Sequence, residues 1–422
     1  MAKKVGLIAV LAFGVYVVAM YFYFFHGQNS GIPTSLKGTV ADPTTFMTTQ
    51  ELMLSKELSE LRNFLFFVST PFEWLIYFII LITGISRMFE RWSPTEQKWA
   101  IWRNAVYLFF LSLLLFVVQF PLAYYRYTLS KSYGISTQLF SSWMRENVIS
   151  FWMDFGMSVI TITVVYWLMK KSVKRWWLYA WSLTVPFTIF LMFIQPVVIA
   201  PIYNDFYPLQ DKELETKILS LAAQADIPSE HVYEVNMAEK TNALNAYVTG
   251  IGSNSRIVLW DTTLNRLSDD EILFIMAHEM GHYVMKDIYI GIAGYLFMTL
   301  IGLWFIAKIM PWMIRRYGKV LNIKEMSNIH SLPLFLFISS VLLFFSSPLS
   351  NAVSRYQEVR ADEYAMALVE DPEAAVSSFQ QLTKSGLSEV NPSTLVKWFR
   401  YTHPPMLERI NHVAEEMQGE EQ

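Results

Sequence analysis

Along the 422-residue chain, apolar positions gather into long runs instead of alternating with polar ones. Seven runs reach about 18 residues or more, enough to cross the hydrocarbon of a bilayer as a helix: 5–25, 65–85, 105–122, 148–169, 177–200, 288–312 and 332–349. The first follows Lys3 and Lys4 and ends in Tyr21, Phe22, Tyr23, Phe24 and Phe25, an aromatic tail that favours a retained span over a cleaved signal peptide. Glu73 and Asp154 lie in or beside the second and fourth runs, where a charge must face protein or water, or mark a helix end.

Two stretches are polar enough to be soluble, 201–287 and 350–422, together 160 residues and enough for one core. The last two runs form a hairpin between them, and two crossings return the chain to the side it left. The expected organisation is a five-span membrane region over 1–200, a soluble part over 201–287, a transmembrane hairpin over 288–349 and a second soluble part over 350–422. In the first soluble part 211–225 reads as a helix, and 232–236, 245–249 and 256–260 read as strands. Gly250-Ile251-Gly252-Ser253-Asn254 supplies the turn between the last two strands. Ser268 followed by Glu271 is a capping box opening a helix that runs to about Lys286. The second part reads as helices over 352–369, 372–385 and 404–417.

Composition sharpens this picture. Hydrophobic residues make up 53% and charged residues 16%, well below the roughly 25% charge of an average soluble chain. A net charge of −3 offers no basic face, so nucleic acid is not an expected partner. The chain has no cysteine, which excludes a disulfide scaffold, a thiol nucleophile and thiolate metal ligation. A metal here has to be held by histidine and carboxylate.

The helix opened by Ser268 carries His278-Glu279-Met280-Gly281-His282, an HExxH motif. Residues four apart share a helical face, so both imidazoles can reach one Zn²⁺, and Glu279 projects toward the open coordination position, where it can take a proton from a metal-activated water. A catalytic zinc needs a third protein ligand. The downstream sequence has Met285 and Ile288 and no third histidine nearby, so the ligand must come from elsewhere. Glu358 and Asp362 are four apart and share a face, which suits Glu358 as ligand and Asp362 as the group holding one imidazole by its other nitrogen. A solvated acidic face is the open alternative, since Arg360 and Glu363 sit in the same segment.

His278 to His282, with Glu358-Val359-Arg360-Ala361-Asp362, resemble the two metal-site segments of the type I CAAX prenyl endopeptidase family, integral-membrane gluzincin proteases. Pro201-Ile202-Tyr203-Asn204-Asp205-Phe206-Tyr207-Pro208 resembles that family's segment leaving the fifth span, Asn245-Ala246-Tyr247 with Gly250 its substrate-aligning strand, and His403-Pro404-Pro405 with Glu408-Arg409-Ile410 its C-terminal signature. Asp287 is a departure, since many eukaryotic members carry histidine there; it is not expected to touch the ligands, although it can change a contact that supports one of them.

The resemblance implies an α-helical polytopic membrane protein of about seven transmembrane helices, with a small α+β zincin-type protease domain split by the last hairpin. It implies one Zn²⁺ per chain on His278, His282 and Glu358, with Glu279 as general base, Asp362 supporting a ligand and His403 donating to the developing oxyanion. Arg409 would pair with a substrate carboxylate or an internal acid. Residues 245–249 would present a strand edge to a peptide, with Asn242, Asn245, Ala246 and Tyr247 contacting substrate. The implied spans surround a water-filled chamber, which Glu73, Asp154 and Gln195 could line.

Partners follow: the lipid bilayer, and a peptide or protein substrate, either lipidated or otherwise membrane-associated. Nothing in the residues reads a prenyl chain, so membrane-protein quality control or peptide processing stands as an alternative. A zinc-containing membrane transporter or binding protein would use the same histidines but has no need of Glu279 beside an open position. Counting basic residues by side gives 15, including Lys98, on the side of the N-terminus and 6 in the two shorter loops opposite. That places the N-terminus in the cytoplasm and the protease domain outside, whereas eukaryotic members of the family place this domain on the cytosolic face.

Overall fold

The computed structural model describes residues 2–27, 31–94, 100–229, 231–250 and 255–420. Lys98 of the charge count and positions 251–254 of the expected turn lie outside the described residues. Among the described residues seven helices are long and apolar enough to cross a membrane. The first five are α1 (Ala2–His26), α2 (Thr49–Thr83), α3 (Ala100–Ser132), α4 (Phe140–Lys171) and α5 (Trp176–Ile194), the last continuing through a π-helical turn at Gln195–Ile199 to Tyr203. Several outrun the apolar stretch that announces them. α2 begins 16 residues before its apolar run because Thr48 and Glu51 form a capping box there, each side chain satisfying the other residue's backbone N–H. At 35 residues it is roughly 50 Å long, against a hydrocarbon core of roughly 30 Å, so its polar end stands out of the bilayer.

The soluble elements follow in the order β1 (Phe206–Pro208), α6 (Lys212–Gln224), β2 (Val232–Val235), β3 (Ala246–Thr249), β4 (Arg256–Trp260) and α7 (Asp269–Val284). The sheet order is β1-β2-β4-β3, with β2 and β4 parallel and the outer pairs antiparallel. Among the described residues β3 is therefore an edge, paired on one side only, with Ala246 opposite Leu259 and Thr249 opposite Arg256. β1 is a strand that apolar patterning does not announce, because three residues ending in a proline carry no alternation. α7 starts as expected, with the N–H of Ser268 donating to Glu271 at 2.8 Å; the other Glu271 oxygen accepts from Ser377 at 2.5 Å.

The chain then crosses twice, in α8 (Asp287–Leu321) and α9 (Leu332–Val369), before α10 (Pro372–Gly386), α11 (Thr394–Arg400) and α12 (Met406–Glu420). α9 is one helix of 38 residues, so the seventh span runs without interruption into the segment bearing Glu358 and Asp362. α7, α10 and α12 share one core with the sheet, built on Ile257, Leu259, Ile272, Phe274, Met276, Phe379 and Ile410. Ala41, Ile32, Leu36 and Phe46, from the link between α1 and α2, pack against that core. The link between α3 and α4 also meets this domain, where Asn242 donates its N–H to Ile135 O at 2.8 Å. Alternate links thus lie on the protease side, as seven crossings require.

Glu73, inside the second span, is satisfied locally. The Tyr77 hydroxyl donates to Glu73 at 2.5 Å, and Ser340 donates to the other Glu73 oxygen at 3.4 Å. At the opposite membrane face Glu90 lies 2.6 Å from Nδ1 of His330, and Ser86 donates to the carbonyl of His330 at 2.6 Å, joining the α8–α9 link to the helix after α2.

One contact sets the depth at which α9 meets α7. A Cβ built on Gly281 would stand 3.2 Å from Tyr364 Cδ1 and 3.3 Å from the Cα of Ala361, so the two helices touch nearly backbone to backbone. We expect Gly281→Val to overpack this contact, lower stability by about 1–3 kcal/mol and weaken metal retention. Thermal unfolding in detergent and metal content after dialysis would check both.

Candidate metal centre

α7 presents His278 and His282 one turn apart, and α9 crosses the same face with Glu358. Nε2 of His278 lies 3.3 Å from Glu358 Oε2, and Nε2 of His282 lies 3.4 Å from Oε1. One ligand atom from each of the three residues falls within 4.8 Å of the others. Glu358 is 6% exposed, and its Oε2 has no hydrogen-bond partner. A buried carboxylate oxygen left without a donor, beside two imidazole nitrogens, is costly as it stands and suits a bound cation. Two histidine nitrogens and a carboxylate are also the donor set that a catalytic zinc uses. The residues fit the ion.

The outer nitrogens of both histidines are held by carboxylates. Asp362 Oδ1 stands 2.8 Å from Nδ1 of His278, and Asp287 Oδ2 stands 2.9 Å from Nδ1 of His282. Asp287 thus touches a proposed ligand, which corrects the expectation that it does not, and it does so as the supporting contact behind the imidazole that the same expectation left open. Lys286 adopts a left-handed conformation, φ 59°, which ends the turn after α7 and starts α8 with Asp287 folded back toward His282. Gln357 donates to the second Asp287 oxygen at 3.1 Å. Carboxylates in these positions fix the tautomer that leaves Nε2 free for metal.

Arg409 is buried and forks onto Asp362, Nε to Oδ2 at 2.8 Å and Nη2 to Oδ1 at 2.6 Å. Of the two partners expected for Arg409, the internal acid is the one present; its guanidinium also lies over the Phe379 ring at 4.2 Å. Burial opposes charge on His278, but Asp362 and Glu358 outweigh it and push the imidazole up to about 9; His282 is raised by Glu358 and Asp287 against the same penalty. Binding a cation here therefore displaces protons. Burial pushes the Glu279 carboxyl up, against the pull of both histidines.

A cavity of about 390 Å³ opens over these groups, lined by Asn245, Ala246, His278, Glu279, His403 and Arg409 among others. His403 stands at its rim, half exposed, with Nε2 3.4 Å from Glu358 Oε1 and Nδ1 2.9 Å from the Thr402 hydroxyl. Asn245 is exposed at the start of β3 and its backbone is tied to Thr263 and Trp260, leaving the side chain beside the cavity. Tyr247 lies further along the same edge strand, opposite Val258. Asn242 is not brought to the cavity. Its amide donates to Gly134 O at 2.7 Å and accepts from Arg266 at 3.0 Å, anchoring the α3–α4 link. A second cavity of about 380 Å³ includes Gln195, Thr249 and Gly250, at the other end of β3.

Known proteins resemble the chain on both sides of position 205. Residues 208–417 match the model of peptidase family M48, and residues 23–205 match that of the CAAX prenyl protease N-terminal region of five membrane helices. An uncharacterized metalloprotease of Bacillus subtilis, YhfN, is 51% identical over 406 residues, covering 96% of this chain and 95% of its own. The CAAX prenyl protease 1 of Saccharomyces cerevisiae is 27% identical, over 73% of this chain and 71% of the relative. The crystal structure of Ste24p from S. mikatae superposes with a TM-score of 0.78 at 20% identity, covering 98% of each chain, and shares the fold.

Two expected outcomes test the supporting shell. Asp287→Ala should weaken metal affinity by about 10–100-fold, read by competition with a chelator. Arg409→Met should cost about 3–5 kcal/mol, because it leaves Asp362 buried and unpaired; a melting curve that does not move would contradict the ion pair's role.

Proposed function

The chain belongs to peptidase family M48, among the type I CAAX prenyl endopeptidases, and we propose that it is a zinc endopeptidase in which Glu279 is the general base. The family and the seven spans make it an integral, multi-pass membrane metalloprotease with peptide or protein substrates. The observation that carries the finer reading is the convergence of His278, His282 and Glu358 on one point at the floor of a cavity that Glu279 also lines. A bound Zn²⁺ would be held by those three residues and would supply Lewis-acid polarisation of the scissile carbonyl.

The protein's own groups supply the rest. Glu279, with its carboxyl raised by burial, takes a proton from the attacking water and delivers it to the departing amine. Its raised pKa narrows the gap to both partners, which favours a group working in both directions. His403 at the rim donates from Nε2 to the oxygen that gains charge as the carbonyl becomes tetrahedral. The free edge of β3 takes the peptide as an added strand, with Asn245 and Tyr247 beside it, and Ala246, small and 2% exposed, lets the backbone come close. Asp362 and Asp287 hold the imidazoles still while the chemistry proceeds.

For the substrate, we infer an extended peptide attached to or leaving the membrane, with a lipidated C-terminal segment as the first class to test. The β3 edge leads from the catalytic cavity to the one at Gln195, in the fifth span, so a peptide lying on it reaches membrane level.

Purified wild type and Glu279→Gln should each carry about one zinc. Cleavage of internally quenched peptides should fall by about 10²–10⁴-fold in the variant. Wild type without zinc, or equal turnover by the two proteins, would overturn the assignment. Prenylated and plain peptides in the same assay would separate lipidated from general membrane substrates.

A further inference from the structure

Arg400 forms part of the wall of the catalytic cavity and has no role in the ligand set. It ends α11, three residues before His403, and lines the cavity with Glu389, Tyr401 and Thr402. Its Nη1 donates to the side-chain oxygen of Asn63, a buried residue of α2. The adjacent residue of α2, Arg62, donates to the carbonyl of Gly386 at 3.3 Å, at the C-terminus of α10. The two guanidiniums are close enough for their charges to repel. Burial also works against charge on Arg400, and the fields of Tyr401 and Glu389 offset this only in part.

This arrangement is electrostatically wasteful if its purpose is to hold α11 on α2. A neutral side chain could meet Asn63 without burying a second like charge. Arg409 shows the contrast, since its fork is filled by Asp362. Arg400 has five N–H donors, and its bond to Asn63 uses one. None of its nitrogens is among the buried atoms lacking a partner, so the remaining donors open on the cavity. Two guanidiniums against one carboxylate, Glu389, leave this wall net positive.

We propose that Arg400, with Arg62 reinforcing its field, binds a carboxylate of the peptide substrate and so directs cleavage to bonds a few residues from an acidic group. The assignment rests on the protease reading above. The carboxylate has two possible sources with the same chemistry, a free C-terminus and an Asp or Glu side chain. A planar guanidinium takes either by a pair of charge-assisted hydrogen bonds.

The test uses zinc-loaded full-length protein in detergent and three internally quenched peptides of one apolar sequence. One ends in a free acid, one in an amide, and one in an amide with a single Asp three residues from the end. We expect wild type to favour an acidic peptide over the plain amide by about 10–100-fold, mainly through KM. Arg400→Gln should bring the peptides within about two-fold of one another, and Arg400→Lys should restore part of the preference. Preference for the free acid identifies the C-terminus as the source, and preference for the Asp peptide identifies a side chain; either supports the assignment if it disappears in Arg400→Gln. Equal cleavage of all three by wild type overturns it without any variant. An equal loss on all three in Arg400→Gln also overturns it, since that marks a purely structural residue. Wild type that cuts none of the three fails the protease reading itself, a result separable from equal cleavage.

Discussion

The site depends on how closely α7 and α9 approach each other. Neither helix can make a metal centre alone: α7 has two imidazoles and no third ligand, and α9 has a carboxylate with no second. Gly281 leaves no room for more than hydrogen between α7 and α9, since a Cβ there would stand 3.2–3.3 Å from Tyr364 and Ala361, and at that approach Glu358 falls between the two Nε2 atoms. A larger residue would force the helices apart by at least a few tenths of an ångström, enough to disturb a bond length that tolerates roughly 0.2 Å. The small residue inside the HExxH motif is therefore part of the metal geometry, although it offers no ligand.

Around that contact the charges are arranged in layers. Glu358 faces the ligand position, Asp362 and Asp287 hold the outer nitrogens of the histidines, and Arg409 neutralises Asp362 from behind. Within this cluster the Glu358 Oε2 aimed at the ion position is a buried oxygen without a hydrogen-bond partner. The arrangement costs stability unless a cation is bound, which couples folding of the protease core to metal uptake.

Much of this was legible in the sequence because it follows from spacing. Apolar runs announce seven crossings, Ser268 and Glu271 announce the start of α7, and four-residue spacing puts His278 with His282 and Glu358 with Asp362. What was not legible depends on three-dimensional return. Asp287 reaches His282 only because Lys286 takes a left-handed turn, a conformation that lysine does not advertise. Asn242 looked suited to substrate but is engaged by a link 108 residues earlier in the chain. β1 and α11 are too short for their periodicity to register. The choice between partners for Arg409 needed the fold, since no pattern in the sequence places residues 47 apart in contact.

The uninterrupted course of α9 has a consequence for how this enzyme can be handled and how it can change. Glu358, the third ligand proposed here, stands on the same rigid rod that anchors the chain, with no linker between them at which the two could be parted. A catalytic head cut free at the bilayer surface would lose the support that sets the pitch and depth of its third ligand. The protease and its membrane are in this sense a single machine part: one can be trimmed at its ends or altered at its rim, but not unbolted in the middle.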